Sequence, residues 1–421
     1  MAANGSSTVR YLQTARALRS VAQGVAIVDM TLYLRDLQWS AAEIGGVMSA
    51  AGVCGAALIL LVGVLSDRVG RKPFLFAYEC MTACAALVIG LCRNPYILAV
   101  AIVLTGFGRG QNGAAGPFTP AEQAWLASGV ARERRSKVFS TNTALGFFGM
   151  ALGAVLGGLP RLWMHSLAGA AAYRPLFFGL CVISLGCAMV IARAPGGKAP
   201  QRRGSKDHAN AEPLDSKATE QILERDVRRQ ENRNMAKLAF VNLLNGLGVG
   251  FVGPMVTYWF AARFGADSAQ IGVTLAGSFV VTGLAAMFSG IAAERFGMVR
   301  SVVWLRLAGV VFMLILPLMP TFWLASAVYT IRSALSRGTQ GTRSALGSSV
   351  TRDQRRGFSL SINSFFTRLA SAIGPSLSGA LLDSGSFALP FLLAGGLQLV
   401  SSLLYGYMFR YFDADRSQKS P

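Results

Sequence analysis

Gly63-Val64-Leu65-Ser66-Asp67-Arg68-Val69-Gly70-Arg71-Lys72, followed by Pro73, is a short charged stretch between two long apolar runs. Its order of small residue, acid, arginine, glycine and arginine returns in Gly290-Ile291-Ala292-Ala293-Glu294-Arg295-Phe296-Gly297-Met298-Val299-Arg300. The echo is not isolated. Ser40 to Gly45 matches Ser268 to Gly272, Arg109 to Gly113 matches Arg337 to Gly341, and Asn142, Gly153 and Gly158 match Asn363, Gly374 and Gly379. The matches are collinear, at shifts of roughly 221 to 228 residues, so the chain reads as a duplication of the kind that builds secondary transporters.

The chain is 52% hydrophobic and only 14% charged, whereas a soluble domain has about a quarter of its residues charged. Apolar runs of about twenty residues, each long enough to cross a bilayer core, recur throughout. They place twelve helices near 16–36, 41–64, 73–92, 95–120, 138–159, 175–193, 236–262, 269–293, 299–319, 321–346, 359–382 and 387–409. The reading is an all-α integral membrane protein of two pseudo-symmetric six-helix bundles, residues 1–193 and 236–421. A linker, 194–235, joins them: it opens on Pro195-Gly196-Gly197 and alternates acids and bases from Leu214 to Asn234, a pattern suited to a surface helix. The basic start and first apolar run resemble a signal peptide, but no small-residue cleavage site stands out, so they read as an uncleaved first helix.

The net charge of +20 is set by topology. With these helices, about 31 of the 40 lysines and arginines lie on one side, and about five (Arg35, Arg93, Arg161, Arg174, Arg263) on the other. The positive-inside rule puts both termini in the cytoplasm of a plasma-membrane protein. No basic stretch is interleaved with stacking aromatics, so no nucleic-acid partner is expected. The basic loops suit anionic lipid headgroups. The six cysteines fall within or at the ends of helices and His165 and His208 lie far apart, so neither metal nor cofactor is expected. No phosphate loop or zinc-protease motif points to an enzyme.

Gly63 to Lys72 resembles the loop signature between helices two and three of the major facilitator superfamily, and Arg109 to Gly113 is similar to its fourth-helix motif, with Asn112 in place of glutamine. The resemblance implies the twelve-helix fold, alternating access and a monomer. It also implies gating roles for Gly63, Asp67, Arg68, Gly70, Arg71 and Lys72 and for the repeated Arg109, Gly113, Glu294, Arg295, Arg337 and Gly341. In the resemblance Asp67 meets the N-terminus of the eleventh helix, where backbone dipoles favour an anion. One departure stands out: drug/proton antiporters carry Gly-Pro in the fifth helix, and here Gly149 to Gly158 holds glycines without a proline.

Ionisable residues at membrane depth are costly unless paired or functional. Asp29 lies near the midplane of the first helix and is a candidate for proton coupling or for a structural pairing. Arg332 and Arg368 lie inside helices but outside the repeated motif, which makes them candidates for an anionic substrate. Asn242 and Asn245 share a helix face, where they bind substrate or a neighbouring helix. Glu79 and Arg306 occupy equivalent repeat positions with opposite charge. They read as anchors at the membrane interface, as do Glu122 and Trp125, while Tyr258, Trp259, Trp304 and Trp323 read as interfacial belts. The expected function is movement of a small organic solute, an organic anion being one option, with a proton as coupling ion. A drug efflux antiporter and a non-transporting receptor or scaffold are the alternatives.

Overall fold

The computed structural model describes residues 2–108, 116, 118–128, 130, 135–195, 214–349 and 356–411. Among them lie sixteen α-helices and no strand. The first half holds α1 (Ala2–Asp36), α2 (Ala41–Val69), α3 (Arg71–Leu91), α4 (Pro95–Thr105), α5 (Thr119–Ser128), α6 (Arg135–Leu156), the short α7 (Pro160–Trp163) and α8 (Arg174–Arg193). The second holds α9 (Leu214–Val252), α10 (Val256–Phe264), α11 (Ser268–Phe296), α12 (Met298–Ile315), α13 (Phe322–Gly338), α14 (Gln340–Ser349), α15 (Arg356–Asp383) and α16 (Leu389–Phe409).

These make twelve spans, because the fourth, seventh and tenth are each broken in two and the four-residue α7 crosses nothing. Gly106 ends α4 in a left-handed conformation (φ 67°) that closes the last turn. Gly253-Pro254 separates α9 from α10: proline lacks an N–H and disfavours helix in the residue before it. Among the described residues, eight helices are long and apolar enough to cross a membrane by length and composition alone. The first span and the eleventh, α15, fall short, as do the broken fourth and tenth. The first carries Arg16, Arg19 and Asp29, the fourth Glu122, the tenth Arg332, Arg337 and Arg343, and the eleventh Arg368. The second part of the expected linker, from Leu214, is continuous with the seventh span instead of forming a separate helix.

Small residues set the helix packing. A Cβ on Gly149 or Gly153 of α6, or on Gly157 just beyond its end, would strike α1, the closest approach being 2.0 Å from the Val21 carbonyl to a side chain on Gly153. This four-residue spacing of glycines lets two backbones touch along a stripe. In the second half Gly246 and Gly250 of α9 meet Thr367, Ala370 and Ser371 of α15, and Gly374 meets Gly250 and Phe251. Dispersion and backbone contact, summed over these stripes, hold each half together where lipid supplies no hydrophobic drive.

The halves meet at the end opposite the termini, the far end. There both oxygens of the Asp383 carboxylate, at the end of α15, accept the Ala41 and Ala42 N–H groups of α2 at 2.8 Å each. Those N–H groups have no partner within their own helix, and the helix dipole favours the negative charge. Arg161 pairs with Asp267 at 2.7 Å, the Ser376 N–H donates to Ser49 Oγ at 2.9 Å, and Thr257 Oγ1 donates to the Ile27 carbonyl at 3.1 Å. Gly45 lies against Pro375 and Gly379 against Ala41. This structure is closed at the far end.

Replacing Asp383 by alanine removes a helix cap that links the halves, which is worth about 1 kcal/mol. The far end is expected to open about fivefold more often than in the wild type, read as faster maleimide labelling of a cysteine placed at Ser49. Unchanged labelling would show that the carboxylate does not hold this end.

Candidate functional site

Polar side chains enter the protein along α1. Arg16 and Arg19 lie well inside the helix, which extends far upstream of the span expected from the apolar run. The Arg19 guanidinium donates through Nε to Glu79 of α3 at 2.5 Å and through Nη1 to Glu122 of α5 at 2.8 Å. It also stacks over the Phe118 ring, 4.4 Å from the centroid. Glu79 and Glu122 are 1% and 2% exposed, and Trp125 is 2% exposed. They are therefore not interfacial anchors. Two carboxylates held by one arginine and neighboured by a second, Arg16, form a buried, charge-balanced cluster. Removing one member of such a set costs far more than the set contributes, because a buried charge is left alone.

Further along α1, Asp29 is fully enclosed, and neither carboxylate oxygen accepts a hydrogen bond or meets a cation. Gly157 makes the space: a Cβ there would sit 3.2 Å from Asp29 Oδ2. Two residues earlier in α1, the Ile27 carbonyl receives Thr257 from the other half, so Asp29 sits beside the seam.

The second half has a different balance. Arg306 is 3% exposed and donates to Asn245 and, at 3.4 Å, to Ser401 Oγ. Arg343 donates to Asn242 Oδ1 at 2.8 Å, and the Asn242 amide donates to Asn363 Oδ1 at 2.8 Å. Asn242 and Asn245 thus bond between helices. Arg306 is another correction, since it lies in the bundle and not at its interface. Arg332 is 4% exposed with its Nε unpartnered. Arg337 reaches the Tyr329 hydroxyl at 3.2 Å. Arg368 lies within electrostatic reach of Tyr78 in the other half, which places it on the seam. Tyr78 itself donates to the Thr105 carbonyl and leans on Phe118, the ring beneath Arg19.

Trp259 is 1% exposed: it donates to the Phe387 carbonyl at 2.9 Å and packs on Phe260, Phe264 and Phe391. It is an internal anchor and not part of a belt. Trp304 and Trp323 do face outward, and Tyr258 lies under Arg35. Among the motif residues, Lys72 caps the end of α8 through the Ala192 and Ala194 carbonyls at 2.7 and 2.9 Å. Gly70 makes the α2–α3 corner with φ 106°, Arg71 is partly buried, and Arg295 and Gly341 are exposed. Arg109 and Gly113 lie outside the described residues, as do the side chains at Gly63, Asp67, Arg68 and Glu294.

The family model of the major facilitator superfamily matches residues 14–231 and 238–421. The chain belongs to this superfamily. An uncharacterized membrane protein of Saccharomyces cerevisiae is 23% identical over 433 residues, covering 97% of this chain and 95% of that one. The gentisate transporter of Corynebacterium glutamicum is 24% identical over 382 residues, 89% of this chain and 81% of that one. The crystal structure of a D-xylose–proton symporter superposes with a TM-score of 0.72 at 14% identity, over 95% of this chain and 96% of that one. Major facilitator proteins are transporters, and this chain shares their helical architecture.

Sequence reading missed Arg16, Arg19 and Arg343. The sequence reading counts all three with the basic residues of the cytoplasmic side, although Arg16 and Arg19 fall within the first expected helix, 16–36, and Arg343 within the tenth, 321–346. A signal for Arg306 existed: opposite charges at equivalent repeat positions, Glu79 and Arg306, mark a place where each half needs an internal partner.

Proposed function

We propose that this protein is a secondary transporter of small organic anions, aromatic carboxylates foremost, coupled to protons. It lies in the plasma membrane with both termini cytoplasmic, and the structure is then closed toward the outside. The observation that carries the reading is Arg332 together with Arg368: both stand on spans of the second half with no carboxylate against them among the described residues. Embedded arginines without acids are costly, and a bound carboxylate relieves that cost through charge-assisted hydrogen bonds. The gentisate transporter among the relatives agrees with this chemistry. Asp29 is the coupling carboxyl, enclosed, uncompensated and beside the seam. Gly149, Gly153 and Gly157 of the fifth-helix glycine run are used in the contact of this span with α1.

Arg368→Ala tests the substrate class. In proteoliposomes with gentisate and benzoate as probes, the variant is expected to show KM raised about tenfold or more, the loss of one hydrogen bond to a charged group. Uptake of uncharged aromatic alcohols should be unaffected. An equal loss for charged and uncharged probes would count against a carboxylate site.

A further inference from the structure

The two halves repeat each other in backbone but not in charge, and the mismatch falls at one place. In the first half, Arg19 is met by two carboxylates, Glu79 and Glu122, and by the Cys187 thiol at 4.0 Å. In the second half Arg306 stands at the repeat position of Glu79, on α12. Its partners are the Asn245 side-chain carbonyl and the Ser401 hydroxyl, both neutral. One turn away along α9, Asn242 receives Arg343. Residues three apart on a helix present side chains to the same face, so both guanidiniums converge on one side of α9. They are close enough to repel each other. Arg306 Nη1 and Arg343 Nε are buried donors with no acceptor. No carboxylate faces either arginine among the described residues; the titratable group beside both is the Tyr405 phenol of α16, which carries no charge at neutral pH.

We propose that the second half holds a small inorganic anion, of the class of chloride, between Arg306 and Arg343. It supplies the negative charge that Glu79 and Glu122 supply in the first half. The two vacant N–H donors define where it sits, and Asn242, Asn245 and Ser401 orient the arginines around it. An unpaired buried donor or cation is costly in a medium with little water, and a monovalent ion of a few ångströms fits between side chains where a lipid headgroup does not. The site lies between the seventh, ninth, tenth and twelfth spans, inside one bundle. It is separate from Arg332 and Arg368, and the proposal does not depend on what the protein transports.

The test is the thermal stability of the purified, detergent-solubilised protein in sodium chloride against sodium gluconate at equal ionic strength. Ligand that binds the folded state raises Tm in a saturable way. Chloride is expected to raise Tm by several degrees, saturating in the millimolar range, on the order of 10 mM for a site closed by two arginines. Asn245→Asp places a permanent carboxylate on Arg306. It should raise Tm in gluconate toward the wild-type value in chloride and abolish the chloride dependence. If that variant does not fold, Asn242→Asp makes the same test through Arg343. Equal wild-type Tm in the two salts would overturn the proposal, as would chloride dependence kept in the aspartate variants. Stabilisation by sulfate or phosphate alone would also overturn it, by assigning the site to a larger anion.

Discussion

Asp29→Asn is expected to abolish proton-driven accumulation of gentisate in proteoliposomes while sparing the exchange of labelled for unlabelled gentisate. The expectation follows from what surrounds the carboxyl. It is 0% exposed, accepts no hydrogen bond, and has no cation against either oxygen among the described residues. An ionised group so enclosed costs several kcal/mol, and helix packing alone gives no reason to keep one there, since Gly157 is shaped to leave it room. A proton taken up with the solute and released on the other side gives the residue a use that matches its surroundings. Asparagine keeps the volume and removes the charge, so the binding steps survive and the coupling does not. Accumulation under an imposed pH gradient should fall at least tenfold, roughly the loss of the driving force carried by one proton. If the variant still accumulates gentisate at the wild-type level, the coupling carboxyl lies elsewhere, and Glu122 in the Arg19 cluster is the next residue to change.

The architecture was legible because lipid constrains a chain severely. Each span must satisfy its own backbone, so apolar length reports helix number, and duplicated loops report the pseudo-symmetry. The same rule explains what was hidden. Hydropathy says that a helix crosses but not which face turns inward. Trp259 and Trp323 therefore looked alike, although one is enclosed by Phe260, Phe264 and Phe391 and the other faces outward. Charge near a helix end is read by default as topology, and Arg16 and Arg19 were lost among the other basic residues for that reason. Their partners, Glu79 and Glu122, lie 60 and 103 residues from Arg19, a separation no local pattern reveals. The candidate residues Asp29, Arg332, Arg368, Asn242 and Asn245 were singled out by cost: each is polar where polarity is expensive. Cost identifies such residues but does not say whether they face substrate or each other, and the two asparagines turned out to face arginines.

The second large effect separates holding a bundle together from closing the gate. Gly374 and Gly379 lie five residues apart on α15 and point to different neighbours. A Cβ on Gly374 would fall 2.2 Å from the Gly250 carbonyl carbon, inside its own half, whereas one on Gly379 would fall 2.2 Å from the Ala41 carbonyl oxygen of the other half. In both cases the obstacle is backbone, which cannot turn aside as a side chain does. Gly374→Val is therefore expected to prevent stable folding. In Gly379→Val the α9–α15 contact is intact, and only the far-end closure is blocked. Overpacking costs about 1–3 kcal/mol, and about 2 kcal/mol shifts a two-state equilibrium about thirtyfold, so this variant should be folded and held open at the far end. Spin labels at Arg93 and Ser384, exposed far-end positions in the two halves, on a background lacking the six native cysteines, should report a longer distance population in Gly379→Val than in the wild type. Transport should fall accordingly, because a protein that cannot close one end cannot complete a cycle. A folded Gly379→Val with wild-type distances would mean that α2 and α15 slide past one another at the far end, and the gate would then have to be sought at Arg161 and Asp267.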